Sequence, residues 1–328
     1  MAKIAILGTG AWGTALANVL LKNKHEVLMY GIDECENKDL IKGLNTKYFG
    51  NKKMVKAPIA TINPNDVINF RPSYVLIAVP SLYIESTVKK FVKFLTAKPV
   101  YINVAKGFNP ETNNVWSRSI KKIIRGFSKG FVSLLGPSFA VEVFNNQPTM
   151  VNCVSTKAKI AKLVANLFNN QTFKCVVTTD ERGAEIMASL KNVMAIALGL
   201  AYELHTSINT RAAMLAEATK EISTIVDKLG GNVKTIANFC GIGDIYLTCT
   251  DSKSRNFSFG KSIAQIGLAK TLQINKKTVE GFSATKIAYE IIKTNMIDAP
   301  VLEEIYKVLY KNQNPKHFVK NVIKKIIK

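Results

Sequence analysis

The sequence predicts an α/β chain, a doubly wound parallel β-sheet in its first half followed by a separate all-helical domain. Three observations carry this. Short apolar runs without polar alternation recur through the first half and alternate with helical patterns. Strands lacking a polar face are buried on both sides, the condition of a parallel sheet covered by helices. A Gly-x-Gly-x-x-Gly turn (Gly8, Gly10, Gly13) follows the first run. From about Asp180 onward, strand signals give way to long helical periodicities, which places a domain boundary there. The expected domains are residues 1–179 and 180–328.

Taken in order, Lys3–Leu7, Glu26–Tyr30, Tyr74–Val79, Val100–Val104 and Phe131–Leu135 read as strands, and Thr149–Val154 and Phe173–Val177 extend the same sheet. A helix over Thr14–Leu21 joins the first two. In the second half the periodic stretches are 181–204, 211–229, 258–267, 283–294 and 300–311. The tail KNVIKKIIK is short, basic and amphipathic; it reads as a frayed terminal helix, with weak membrane-surface contact as the lesser alternative.

Bulk properties exclude several classes. A chain of 328 residues with 47% hydrophobic and 21% charged residues has material for real cores. Its apolar runs stay short of the roughly 18 residues of a membrane span. Ile186–Leu204 comes nearest, interrupted by Lys191, Asn192 and Glu203. The start MAKIAILGTG reads as a strand and not as a signal peptide. Cys35, Cys153, Cys175, Cys240 and Cys249 form no CxxC pair, which argues against structural zinc and a disulfide framework and suits a reducing cytoplasm. His25, His205 and His317 lie far apart with no metal-ligand spacing, so no metal is expected. His25 reads as an exposed turn residue, and His205 as a loop or capping residue.

The net charge of +22 is mostly lysine, with arginine only at 71, 118, 125, 182, 211 and 255. A solvated lysine surface is the reading preferred over a nucleic-acid patch, since arginine is the better reader of phosphates and bases.

The glycine motif follows an apolar strand, opens a helix and is followed by a second strand. In that context it signals a Rossmann-type dinucleotide site. Gly8 permits the tight turn, Gly10 lets backbone approach a pyrophosphate, and Gly13 allows helix to pack on sheet. The N–H groups of Ala11 and Trp12 then face the pyrophosphate. Asp33, about 20 residues on, could bind a ribose hydroxyl, although it sits one or two positions late. No arginine stands there for a 2′-phosphate, so NAD is favoured slightly over NADP. Lys106 and Ser138 follow later strands and converge on the nicotinamide end, because ligands sit beyond the carboxyl ends of parallel strands.

In the helical half, MASLKNVMAIALG places Lys191 and Asn192 among Met187, Leu190, Met194, Ala195, Ile196 and Leu198. Either the stem snorkels to a surface, or the charge is wanted inside for chemistry. Downstream, GIGDIYLTCTDSKSRNFSFG sets Asp244 after a Gly-x-Gly turn, Thr248 four residues later, and Arg255 between Ser254 and Asn256. Such a guanidinium suits a small phosphate gripped in a bidentate fork.

The segments GTGAWGTALA, IAVPS, AKG, LLGPSFAVEV, LKNVMAIALG, NTRAA, GIGDIYLTCT, SRNFSFG and VEGFSATK, in that order, resemble the bacterial-type NAD(P)-dependent glycerol-3-phosphate dehydrogenases. The resemblance implies reversible hydride transfer between NAD(P)H and dihydroxyacetone phosphate, giving sn-glycerol 3-phosphate for phospholipid synthesis. It makes Lys191 the proton acceptor, surrounded by Asn192, Asp244 and Thr248. Lys106, Gly136 and Ser138 become substrate positions, with Lys106 also reaching cofactor. Ser254, Arg255 and Asn256 take the phosphate end, and Arg255 touches cofactor too. Ala11, Trp12, Ile32, Ala140 and Glu280 are further cofactor positions. Two departures stand out: many relatives carry serine at Ala11 and a basic residue at Ile32, which weakens any claim for NADPH.

A lysine acid–base needs its amine moved from about 10.4 toward neutrality. Burial and like charge from Lys106 push that way, and Asp244 opposes it. The rivals are a related dehydrogenase for another hydroxy acid or phosphate, and a non-catalytic NAD-sensing or nucleic-acid-binding protein. The sensor has no need of Lys191. The long apolar helices suggest a homodimer.

Overall fold

The computed structural model describes residues 1–275 and 278–327; Lys328, the last residue of the basic tail, lies outside them. Contacts divide the chain into two compact units. One comprises Met1–Lys106 and Trp116–Glu181, the other Gly107–Val115 and Arg182–Lys328.

The first unit is built on an eight-stranded sheet: β1 (Lys3–Leu7), β2 (Glu26–Tyr30), β3 (Ile59–Thr61), β4 (Tyr74–Ile77), β5 (Val100–Asn103), β6 (Gly130–Leu135), β7 (Thr149–Val154) and β8 (Phe173–Thr178). The spatial order is β3-β2-β1-β4-β5-β6-β7-β8. Seven strands match the apolar runs. The three-residue β3 has no such run to announce it. The sheet is not wholly parallel, because β7 runs antiparallel to β6 while pairing in parallel with β8. Apolarity reports burial on two faces but not direction, so the sequence could not separate these cases. Alternation along each strand feeds two cores. Ile4, Ile6, Val27, Met29, Leu76 and Ile102 enter one, and Ala5, Leu7, Leu28, Val75, Ile77 and Tyr101 the other. Four strands of this sheet end near the candidate residues, so sheet register fixes those residues in space.

The second unit packs around the helix Glu181–Glu203. That helix is long and apolar enough to cross a membrane by composition, yet its most apolar window is wholly buried within the protein. It is a core helix. Met187, Leu190, Met194, Ile196 and Leu200 join Ile222, Ile225, Ile263, Leu302 and Ile305 in one cluster. Further helices run over Ile208–Lys228, Arg255–Ile266, Glu280–Thr294 and Pro300–Tyr310. Each begins at or before the start its periodicity suggests, because capping residues such as Ser207 and Ser254 extend it by a turn.

The tail is a helix, Phe318–Ile326, anchored by Phe318 and Val322. Its docking is also electrostatic. The Glu304 carboxylate is buried and accepts from Lys307 Nζ at 2.7 Å, Gln313 at 2.9 Å and Asn321 at 3.1 Å, with Lys325 Nζ at 2.8 Å. Against the cost of burial, these donors hold its carboxyl down to about 2. A depressed carboxylate stabilises the fold above its unfolded value of about 4.3, and that contribution is lost as pH falls toward the folded value. Glu304→Gln is therefore expected to lower the unfolding free energy by about 1–2 kcal/mol at neutral pH, since the lysines reach solvent and screening trims the effect. Near pH 2 the gap between variant and parent should close. Denaturant titrations at the two pH values check this; an equal gap at both would mean packing alone is responsible.

Candidate active site

The residues singled out by sequence fall in both units, in several separate groups. In the first unit the chain leaves β1 into Gly8, whose φ of +120° lies in the range that favours glycine. A Cβ there would meet the Ala78 carbonyl oxygen at 2.5 Å, and one on Gly13 would meet the Gly8 carbonyl oxygen at 2.6 Å. Gly10 differs: nothing lies within 4 Å of where its Cβ would be. Gly10 caps the helix Ala11–Lys22 without any side-chain cap bond, and no acidic residue occupies the first turn. The first N–H groups of a helix have no intrahelical acceptor and carry partial positive charge. Open space lies beside Gly10, at the head of that helix. That arrangement fits an anion such as a pyrophosphate.

At the ends of later strands, Lys106 Nζ donates to the Gly136 carbonyl at 2.9 Å, and Ser138 Oγ donates to the same oxygen at 3.1 Å. Lys106, Gly136 and Ser138 are thus one group. Ala140 opens the short helix Ala140–Phe144 that follows. Beyond β2, Ile32 is 89% exposed. Asp33 caps the helix Glu34–Ile41, accepting from the Cys35 and Glu36 N–H groups at 2.8 and 3.1 Å. One carboxylate oxygen is thus engaged in capping; the other is 3.8 Å from Lys47 Nζ.

In the second unit Lys191 is 4% exposed, so its amine does not snorkel to solvent. Its Nζ donates to Asp244 Oδ1 at 2.6 Å and to Thr248 Oγ1 at 2.8 Å. The Thr248 hydroxyl donates onward to the Asp244 carbonyl at 2.6 Å. The Gly241-Ile242-Gly243 turn makes this possible: Gly241 presses on the Ile236 carbonyl, where a Cβ would sit at 2.3 Å, and Asp244 then starts the helix Asp244–Thr250. Residues 244 and 248 share a face of that helix. Burial pushes the adjacent Cys249 thiol up to about 12, with the Lys191 charge opposing the shift, so Cys249 is a packing residue and not a nucleophile.

Asn192 carries a second chain of bonds. Its amide donates to Glu280 Oε2 at 3.3 Å, and Asn256 Nδ2 donates to Asn192 Oδ1 at 3.1 Å. The Asn256 oxygen accepts from the Gly281 N–H at 2.9 Å. Ser254 caps the helix Arg255–Ile266, accepting from the Phe257 N–H at 3.3 Å. Arg255, the first residue of that helix, is exposed. The structure thus joins Lys191 with Asp244 and Thr248, and Asn192 with Asn256 and Glu280.

Sequence reasoning missed Thr9, Glu36 and Asn45, which lie beneath the glycine turn. A threonine between two glycines was their only signal. Of the histidines, His25 is half-buried and not exposed: its ring accepts from the Ala2 N–H at 3.3 Å and contacts the Leu167 carbonyl at 3.2 Å. Burial lowers its pKa. His205, at φ +55°, ends the core helix and is exposed. Among the described residues no group of histidine, cysteine or acidic side chains could hold a metal.

Comparison with known proteins decides the family. Residues 3–161 match the model for the N-terminus of NAD-dependent glycerol-3-phosphate dehydrogenase, and residues 180–320 match that for its C-terminus. The chain belongs to the glycerol-3-phosphate dehydrogenase family. Among relatives, it is 42% identical over 325 residues to a glycerol-3-phosphate dehydrogenase [NAD(P)+] of Malacoplasma penetrans, covering 98% of this chain and 96% of that one. The Mycoplasma mobile enzyme of the same name is 36% identical, with 99% and 97% covered. The crystal structure of glycerol-3-phosphate dehydrogenase from Coxiella burnetii superimposes with a TM-score of 0.89 at 26% identity, covering 98% of both chains. This family membership brings with it a nicotinamide dinucleotide, NAD or NADP, as cofactor.

Proposed function

We propose that this chain reversibly reduces dihydroxyacetone phosphate to sn-glycerol 3-phosphate, with Lys191 as proton donor and acceptor. The observation that carries the reading is an ammonium in an apolar core, held by one carboxylate at 2.6 Å and one hydroxyl at 2.8 Å. Leaving a buried charge unpaired is costly, and Asp244 offsets that cost by favouring the charged amine. The resting residue is therefore the acid, which is the form that ketone reduction needs.

A nicotinamide, when bound, would supply the hydride for the carbonyl carbon and accept it in oxidation. The developing alkoxide takes the proton from Lys191 Nζ: the N–H bond breaks, the carbinol O–H bond forms, and a neutral amine is left. That amine stands beside the Asp244 carboxylate, which restores the charged form by drawing a proton from solvent. In oxidation the ammonium first loses a proton to solvent, a loss Asp244 opposes, and the neutral amine then takes the carbinol proton as the hydride leaves. Asn192, fixed by Asn256 and Glu280, supplies polar contacts for the glycerol hydroxyls. Ser254, Arg255 and Asn256 take the phosphate, and Lys106, with Ser138 on the same Gly136 carbonyl, serves substrate and cofactor. The glycine turn with Ala11 and Trp12 holds the pyrophosphate, and Ile32, Asp33 and Ala140 line the rest of the nucleotide. Asp33, with Ile32 where many relatives carry a basic residue, supports the unphosphorylated ribose of NAD; the Lys47 amine, 3.8 Å from its carboxylate, is a nearby cation that opposes this.

The test follows reduced-nucleotide absorbance with dihydroxyacetone phosphate, for the parent and for Arg255→Leu, with NADH and NADPH in turn. The parent should turn over, faster with NADH. Arg255→Leu should raise the substrate KM about tenfold or more, since charge-assisted hydrogen bonds contribute roughly 1.5–3 kcal/mol each. An unchanged KM would move the phosphate elsewhere, and no turnover in the parent would remove the function.

A further inference from the structure

The glycine turn rests on a buried polar brace. Thr9, between Gly8 and Gly10, is 6% exposed. Its hydroxyl donates to Glu36 Oε2 at 2.5 Å. Its carbonyl accepts from Asn45 Nδ2 at 2.9 Å and from the Thr14 hydroxyl at 3.2 Å. Its methyl fills the space beside Gly31, where a Cβ would come within 2.6 Å. Asn45 is fully buried, and its amide nitrogen also donates to Thr14 Oγ1 at 2.9 Å. Glu36 accepts from Lys47 Nζ at 2.6 Å, and its own N–H is capped by Asp33. One connected group thus links the turn after β1 to the segment after β2.

We infer that Thr9, Asn45 and Glu36 are positioning residues for the dinucleotide, which hold the turn in its binding geometry before the nucleotide arrives. Two glycines around one threonine leave the free backbone many conformations. Unless that freedom is removed beforehand, nucleotide binding must remove it, at a loss of affinity. The brace grips Thr9 at both its hydroxyl and its carbonyl, which leaves the turn little room to rotate. Because Glu36 lies one turn beyond the Asp33 cap, the same bonds tie the pyrophosphate and ribose ends into one frame. Asn45 acts as a double donor, since both acceptors lie on its nitrogen side. Its oxygen is buried without a hydrogen-bond partner among the described residues. An isosteric carboxylate cannot replace it, having no hydrogen to offer the Thr9 carbonyl.

This inference rests on the reading that the glycine turn binds pyrophosphate, so the experiment separates the two. NADH and ADP-ribose are titrated into the full-length protein by protein fluorescence, for Thr9→Val, Asn45→Asp, Thr9→Ser and Gly10→Val. Thr9→Val keeps shape and removes one hydroxyl; Asn45→Asp keeps size and removes the donors. Both should weaken NADH and ADP-ribose about tenfold, the range for a buried bond left unmade. The KM for dihydroxyacetone phosphate, and kcat at saturating NADH, should stay within about twofold of the parent, and Thr9→Ser should restore affinity. Retained kcat also certifies the fold, and if one variant fails to fold the other carries the test. Parental affinity in the folded variants, or an equal rise in both KM values, overturns the brace. Parental affinity in Gly10→Val overturns the pyrophosphate reading instead.

Discussion

Lys191→Met is expected to lower kcat by about a hundred- to ten-thousandfold while NADH affinity stays within a few-fold of the parent. Positioned proton transfer contributes roughly 10²–10⁴ in rate, and the glycine turn proposed for the nucleotide belongs to another part of the chain. The same substitution strands the Asp244 carboxylate, which is 1% exposed. Breaking a buried pair by removing one partner costs about 3–5 kcal/mol, so the single variant should also melt early. Stability and chemistry are separated by Lys191→Met with Asp244→Asn, which neutralises the stranded charge. The double variant should regain much of the lost stability, and turnover should stay collapsed. Single-turnover absorbance and calorimetry on the three proteins decide the matter. If rate returned together with stability, Lys191 would be a structural ion-pair partner and the proposed proton role would fall.

The reach of the sequence can be judged from these same residues. Lys191 was visible because an ammonium in a run of apolar side chains violates a strong rule, and the structure buries it as a paired exception among that run. Asp244 was visible through its glycine turn. What could not be read was that residues 53 apart in sequence would meet at 2.6 Å. That distance is what the proposed acid form of the lysine rests on. Strand ends were legible to within two residues, since burial on both faces leaves a local signature. The reversal of β7 and the three-residue β3 leave none. The buried carboxylates are the clearest loss. Glu221, which accepts from the Val301 and Leu302 N–H groups at 2.6 and 3.1 Å, and Glu304 look in sequence like ordinary surface acids of amphipathic helices. Their burial depends on donors brought by distant segments, and periodicity carries no trace of those donors.

Gly260→Ala should destabilise the helical unit by about 3 kcal/mol, although in an exposed helix the same change would stabilise by about 1 kcal/mol. A Cβ at Gly260 would lie 2.0 Å from the Ile196 carbonyl oxygen and 2.8 Å from the Leu200 N–H nitrogen; one at Gly199 would lie 2.0 Å from the Phe257 carbonyl oxygen. The helices Glu181–Glu203 and Arg255–Ile266 therefore cross backbone to backbone, with a glycine from each at the contact. Gly281 repeats the device, where a Cβ would meet the Asn192 carbonyl oxygen at 2.3 Å. These contacts are rigid main chain on both sides, so the helices must separate to admit a methyl group. Separation moves Ser254, Arg255 and Asn256, at the start of one helix, away from Asn192 on the other, which opens the 3.1 Å bond between the two asparagines. Lys191 keeps its partners, because Asp244 and Thr248 come from a different segment. Gly260→Ala should accordingly raise the substrate KM more than it lowers kcat, alongside the drop in melting temperature. Calorimetry and steady-state kinetics check the two halves independently. A variant that melts at or above the parent would mean the crossing yields easily, and the placement of Ser254, Arg255 and Asn256 would then need another cause.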